Sequence, residues 1–266
     1  MTAAASPGPA GSIDLGLQDA TIVVTGAGSG IGAAAAQLLG AAGARVVLVG
    51  RREAPLRQCA GAIEQAGGRA VGVPGDLADP ATPARIISSA LKAFGRVDGL
   101  VNNAAACRHF PLPEWDVAGF DEHVATNVRA PYFLIQAALP SLRESPVRSV
   151  VNISSSSGTL RLSGQSVYGM TKSALDYLTQ SLAGELAPDR IRVNAIAPGP
   201  IDTPIHATWA DDLDEAYRWL ESQVPLGRIG DPAEVACWIA LLLSPVSSFM
   251  TGAVIPLDGG QVIPHA

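Results

Sequence analysis

Cysteine is scarce, with three in 266 residues, at positions 59, 107 and 237, and no Cys-x-x-Cys pair. An odd set of widely spaced thiols argues against a disulfide frame or a zinc site and suits a reducing compartment. A cytoplasmic chain without a resident metal is therefore expected. No apolar run approaches the ~20 residues that cross a bilayer; the longest, 235–243, suits a buried helix. Basic residues do not dominate either: 18 Lys and Arg stand against 24 Asp and Glu, for a net charge of −6. Nothing in that balance points to nucleic acid or to an anionic membrane surface. Residues 1–18 carry neither the basic start nor the apolar stretch of a signal peptide. They are rich in Ala, Ser, Pro and Gly and are expected to form a flexible tail ahead of one domain over 19–266. There is no internal repeat and no break in composition.

What is present is a β–α rhythm. Hydrophobic residues make up 48% of the chain and charged ones 16%, enough for a sizeable core. Thr21–Thr25 is a short β-branched run that reads as a buried strand. It leads into Gly26-Ala-Gly28-Ser29-Gly30-Ile31-Gly32 and an Ala- and Leu-rich helix to about Ala42. A strand, a glycine turn and a helix N-terminus in that order make a phosphate-binding turn. The helix end offers free N–H groups and a positive dipole, and the glycines let the backbone approach a pyrophosphate. The second strand, 45–49, ends in Gly50-Arg51-Arg52. NAD-binding units commonly carry an acid there for the ribose 2′-hydroxyl. Arginine instead pairs with a 2′-phosphate, so NADP(H) is expected, with Arg51 the main contact, Arg52 the reserve, and NAD(H) the alternative.

The rhythm continues through helices expected over 53–65, 81–94, 117–142, 166–186 and 232–243, and strands over 69–73, 97–101, 148–153, 191–196 and 253–257. Seven strands alternating with helices predict an α/β, Rossmann-type, doubly wound parallel sheet with helices on both faces. In such sheets ligands sit beyond the strand C-termini. The residues that follow those ends are therefore candidates. Asp76, before Leu77, fits either an adenine contact or a helix cap. Arg108, His109 and Phe110, after the fourth strand, are candidate substrate contacts. Asn127 is a polar residue inside an otherwise packed helix, suited to bend it or to hold a water. Residues 205–224 break the rhythm with His206, Trp209, Tyr217 and Trp219, and suit a lid over a pocket.

Tyr168 and Lys172 stand four residues apart on the 166–186 helix, on one face. An ammonium beside a phenol lowers its ordinary value near ~10, which makes a proton donor and acceptor. By itself the pair is also what any amphipathic helix carries; its place after a glycine turn and a serine-bearing strand end is what matters.

Taken in order, Thr25-Gly-Ala-Gly-Ser-Gly-Ile-Gly32, Asp76-Leu77, Asn102-Asn103-Ala104, Asn127, Ser155, Tyr168-x-x-x-Lys172, Pro198-Gly-Pro-Ile-Asp-Thr203, 228–234 and Asp258-Gly-Gly260 resemble the compact short-chain dehydrogenase/reductase family over residues 19–262. The resemblance implies hydride transfer between nicotinamide and a carbonyl carbon. It picks Ser155 from four consecutive serines, thirteen residues before the tyrosine, to hold the carbonyl oxygen that Tyr168 protonates. Lys172 tunes Tyr168 and binds the nicotinamide ribose, and Asn127 holds a water that passes protons to Lys172. Cofactor contacts are implied at Gly26, Ser29, Gly30, Ile31, Arg51, Arg52, Asp76, Leu77, Asn103, Ala104, Tyr168, Lys172, Pro198, Gly199, Ile201 and Thr203. His109, Phe110, Gln165 and Trp209 are the substrate candidates. A homo-tetramer or homo-dimer on the helices 117–142 and 166–186 is implied, acting on a small carbonyl or alcohol. Ala105 departs from the family's usual glycine, and Ser29 stands where many NADP-preferring members carry a basic residue. The four-residue tyrosine–lysine spacing favours C=O over C=C reduction. A non-catalytic dinucleotide sensor is the competing class, and the retention of Ser155, Tyr168, Lys172 and Asn127 speaks for an enzyme.

Overall fold

The computed structural model describes residues 14–263. Among them, seven strands form one parallel sheet in the order β3-β2-β1-β4-β5-β6-β7. They are β1 Thr21–Thr25, β2 Arg45–Gly50, β3 Arg69–Pro74, β4 Gly99–Asn102, β5 Ser149–Ile153, β6 Arg192–Pro198 and β7 Val254–Leu257. Every residue of β1, β4, β5 and β6 is buried, as expected of parallel strands covered on both faces. Alternate side chains go to opposite layers. Ile22 and Val24 join one core, against α1 (Gly30–Ala41), α2 (Glu53–Gln65) and α8 (Pro232–Leu243). Val23 joins the other, against α3 (Thr82–Phe94), α5 (Ala130–Arg143) and α6 (Ser166–Leu186).

The chain reverses direction across the sheet between β1 and β4, and a crevice opens at that switch point beyond the strand C-termini. The glycine turn, the Asn103 loop and the Ser155 turn all leave the sheet on that side. At the other end of the chain, Asp231 and Glu234 form a reciprocal capping box on α8 with Pro232 in the first turn, so the 228–234 segment is a helix start.

Two boundaries differ from expectation. Residues 1–13 of the expected tail lie outside the described residues, but 14–18 do not behave as a tail. Leu17 is 1% exposed and packs into the first core, because burying its side chain outweighs what glycine-rich neighbours would gain by remaining mobile. The long 117–142 helix is interrupted: α4 (Val117–Val124) passes through a π turn at Ala125–Arg129 before α5. Pro131 has no N–H to donate to the carbonyl four residues back, that of Asn127, so the α-helical ladder fails there.

Candidate active site

A cleft of about 330 Å³ runs along the switch point. Its floor is set by two left-handed glycines, Gly26 at φ +68° and Gly30 at φ +51°. A Cβ on Gly26 would lie 2.7 Å from Asn103 Nδ2, so both its conformation and its neighbour call for glycine. Thr25 ties the two strand ends together. Its Oγ1 accepts from the N–H groups of Asn103 (2.9 Å) and Ala104 (3.0 Å) and donates to the Val101 carbonyl, while Asn103 Nδ2 donates to the Thr25 carbonyl at 2.8 Å. α1 has no acid in its first turn, leaving its N-terminal N–H groups and dipole for an anion.

At the β2 end the cleft is walled by Arg51 and Arg52, and at the β3 end by Asp76 and Leu77. Arg51 is largely exposed and, among the described residues, pairs only with Glu122, at 3.8 Å, while Glu122 is held more closely by Arg108 at 2.8 Å. Asp76 accepts from the Ala78 N–H at 2.9 Å, so one carboxylate oxygen caps the following turn. Backbone donors at one end and two cations at the other fit a dinucleotide.

A second cavity, about 140 Å³, adjoins the cleft through Ile31, Asn103, Ala105, Thr203 and Ile205. Ser155, Tyr168 and Lys172 line it together, from the end of β5 and the first turns of α6. Ser155 opens a short turn and accepts from the Ser157 N–H at 3.1 Å. Lys172 is 2% exposed; its Nζ donates to the Ile153 carbonyl at 2.8 Å and lies 5.6 Å from the centre of the Tyr168 ring. Burial pushes the lysine down to about 8, against the pull of Cys107 and Asp176. The phenol behaves differently from expectation. Burial drives Tyr168 well above its ordinary value, with the nearby Ser155 hydroxyl pulling the other way. Desolvation of a phenolate outweighs the help of a lysine whose ammonium is turned to a backbone carbonyl.

Asn127 bonds within the protein through both ends of its side chain. Oδ1 accepts from the Ala106 N–H at 2.8 Å, and Nδ2 donates to the Ala106 carbonyl (2.9 Å) and to Thr171 Oγ1 (3.0 Å). Both ends of the amide are committed, clamping the loop after β4 to the helix that carries Tyr168 and Lys172.

The rest of the cavity is aromatic. His109 stacks on Trp209 with centroids 4.9 Å apart and planes 21° apart, and lies 6.3 Å from the Tyr168 ring. Burial pushes His109 down to about 4, so it is neutral at physiological pH. Gln165, Pro198, Gly199, Ile201 and Thr203 line the same cavity. Phe110 does not: its ring meets Trp115 edge-on at 5.4 Å on the outer side of the loop. Arg108 faces Glu122 and lines neither cavity. Period and spacing place a loop beyond a strand end, but not which of three consecutive side chains turns inward.

Other lining groups are Cys107, Leu220 and Gln261, which no motif marks, and His206 and Trp219, which belong to the expected lid. Cys107 is buried there, its Sγ 3.6 Å from His109 Nε2, and burial pushes its thiol up to about 12. That makes it an inert wall. His206, Trp219 and Leu220 come from the insertion, in which α7 (Leu213–Ser222) is capped by Asp212. Gln261 arrives from beyond β7.

A glycine-floored dinucleotide cleft joined to a cavity with a buried tyrosine–lysine pair defines an oxidoreductase built on a Rossmann sheet. Comparison with known proteins agrees. A family model described as enoyl-(acyl carrier protein) reductase matches residues 26–261. An uncharacterized oxidoreductase of Mycobacterium tuberculosis is 39% identical over 250 residues, covering 94% of each chain. A tropinone reductase homolog of Arabidopsis thaliana is 36% identical over 248 residues, covering 93% of this chain and 80% of its own. The crystal structure of a dehydrogenase/reductase from Sinorhizobium meliloti superposes with a TM-score of 0.86 at 36% identity, over 93% of this chain and 97% of the other. The chain belongs to the short-chain dehydrogenase/reductase family and is an NAD(P)-dependent oxidoreductase acting on CH–OH/C=O groups.

Proposed function

We propose that this enzyme interconverts a small cyclic ketone and its secondary alcohol with NADP(H), using Tyr168 as general acid and base. The observation that carries the reading is the meeting of Ser155, Tyr168 and Lys172 in one buried cavity that opens on the cleft. The nicotinamide supplies the hydride when bound. In the reducing direction Ser155 Oγ donates to the carbonyl oxygen and Tyr168 gives that oxygen its proton. A phenol held above its ordinary value is fully protonated at neutral pH, which suits the acid's part in reduction. Lys172, at about 8, is still charged there and stabilises the phenolate left behind. The backbone of 26–31 would hold the pyrophosphate and Arg51 the 2′-phosphate. A cavity of about 140 Å³, part of which the nicotinamide would fill, suits a substrate no larger than one six-membered ring, since a ~150 Å³ void takes up benzene. The name of the tropinone reductase homolog is consistent with a cyclic ketone.

The description of the matching family model favours a second reading, C=C reduction of an enoyl thioester; against it stands the four-residue spacing of Tyr168 and Lys172. The enzyme is further proposed to be cytoplasmic and to assemble as a homo-tetramer or homo-dimer. Exposed Phe120, Tyr132, Phe133 and Tyr177 on α4, α5 and α6 support assembly. Among the described residues, no helix is long and apolar enough to cross a membrane.

A panel of cyclic ketones and enoyl thioesters, assayed with NADPH and NADH, tests the reading. Ketone reduction should dominate, with NADPH preferred. Tyr168→Phe should lower kcat by ~10²–10⁴ while the cofactor still binds. Arg51→Ala should lower kcat/KM for NADPH by roughly 10- to 100-fold, the loss of one or two charged hydrogen bonds, and leave NADH unchanged. Reduction confined to the C=C substrates, or a wild type that prefers NADH, would overturn it.

A further inference from the structure

Two residues that line the substrate cavity each carry a polar atom that the mechanism does not use and the protein does not satisfy. His206 is 6% exposed and lines the cavity from the turn Pro204–Thr208. Its Nε2 lies 2.8 Å from the Ile201 carbonyl. A carbonyl only accepts, so Nε2 carries the hydrogen, and in a neutral imidazole Nδ1 is then an acceptor lone pair. That Nδ1 is buried and has no partner. The ring packs edge-on against both Trp209 (5.6 Å, 89°) and Tyr217 (5.4 Å, 75°). Gln261 lines the same cavity from the far end of the chain, and its side-chain oxygen is likewise buried without a partner. Buried polar atoms in native proteins are nearly always paired, and those that are not call for an explanation. Two unpaired acceptors on residues that line one small cavity, from segments far apart in sequence, are groups that a donor brought in by a ligand would satisfy.

We propose that the cavity reads a second polar group on its substrate: beyond the carbonyl held at Ser155 and Tyr168, a ring hydroxyl or amine N–H donates to His206 Nδ1, with Gln261 as the companion acceptor. The substrate class is thus a hydroxylated or aminated cyclic ketone, or the matching diol or amino alcohol in the oxidising direction. The inference rests on the ketone–alcohol reading and narrows it. The rings between the two poles give the span. His109 lies 6.3 Å from Tyr168, Trp209 4.9 Å from His109, and His206 5.6 Å from Trp209. His206 is therefore on the lid side, away from the reacting carbon. Burial lowers the His206 ring below its ordinary value, in keeping with a neutral acceptor. A site built to accept from a hydroxyl discriminates strongly against the analogue that lacks it, because its own groups are left unpaired.

The test compares cyclohexanone with its ring-hydroxylated derivatives, using the full-length enzyme and both nicotinamide cofactors. Wild type should turn over the best hydroxylated ketone with a kcat/KM at least ~10-fold above cyclohexanone. His206→Phe keeps an aromatic ring against Trp209 and Tyr217 and should erase that preference, read as the ratio of the two kcat/KM values. Gln261→Leu, a second variant far from those rings, should reduce the preference in part. Binding is read separately, from quenching of tryptophan fluorescence by cyclohexanol and by a cyclohexanediol in the NADPH-loaded enzyme, where an alcohol cannot react. The diol should bind more tightly to wild type and equally to His206→Phe. Equal turnover and equal binding of the two members in wild type would overturn this inference alone. So would a preference that survives both substitutions. Failure to turn over or bind any ring ketone or alcohol would overturn the ketone–alcohol reading, and the inference with it.

Discussion

Lys172→Met should make the protein catalytically dead and, near neutral pH, somewhat more stable. Burial holds the Lys172 ammonium at about 8, against an ordinary 10.5. At ~1.4 kcal/mol for each tenfold change in proton affinity, keeping that group charged inside the fold costs about 3 kcal/mol below pH 8. Methionine fills a similar volume without the charge. The substitution also removes the hydrogen bond to the Ile153 carbonyl, a loss of about 1–2 kcal/mol, and takes a positive neighbour from Asp176. The net gain at pH 7 is then about 1 kcal/mol, or ~2–4 °C in Tm for a chain of this size. The pH dependence is the sharper signature. Between pH 8 and 10.5 the unfolded lysine binds a proton that the folded one has released, so wild-type stability rises with pH in that window. Wild type should gain about 2–3 kcal/mol on the variant between pH 7 and pH 10. Tyr168 titrates at high pH in both proteins and cancels in the difference. Urea unfolding of the two proteins at both pH values measures it. A difference that stays constant across that range would refute the reasoning, since it would mean that Lys172 titrates in the fold as it does in the unfolded chain.

Two further substitutions test the framework around the site. Asn127→Ala leaves the Ala106 N–H and carbonyl without their partner and removes one donor from Thr171, which keeps its bond to the Tyr168 carbonyl; it should cost about 2–4 kcal/mol in urea unfolding, and kcat should fall more than cofactor affinity, since the side chain clamps the helix of Tyr168. Gly26→Ala combines a left-handed backbone with a Cβ 2.7 Å from Asn103 Nδ2; a stability loss of ~1–2 kcal/mol and weakened dinucleotide binding by calorimetry are expected. An alanine variant with unchanged dinucleotide affinity would show that the turn tolerates what its geometry forbids.

Much of this protein could be read from its residues. Buried parallel strands announce themselves as short β-branched runs, so the seven-stranded sheet and most helix limits follow from local pattern. The glycine turn and the tyrosine–lysine pair were likewise legible, since each is a local arrangement whose chemistry depends on a few residues close in sequence. Even the π turn had its signal in Pro131, four residues after Asn127. What the sequence could not supply was direction and environment. Neighbours such as Arg108, His109 and Phe110 leave the same loop, yet only His109 turns into the cavity, because Glu122 and Trp115 draw the other two outward. The ionisation of Tyr168 went opposite to the simple pairwise argument, because burial is a property of everything around a group and not of its partner four residues away. Leu17 looked like part of a tail until its burial placed it in the core.

The sequence by itself determined the fold, through periodicity, and the order of its motifs carried the family resemblance that singled out Ser155, Tyr168 and Lys172. It also offered His109 and Trp209 as wall candidates. Tertiary structure alone turned His109 inward in place of Arg108 and Phe110 and brought in Cys107 and Gln261, because loop paths are fixed by packing; only there do His206 and Gln261, 55 positions apart in the chain, line one small space.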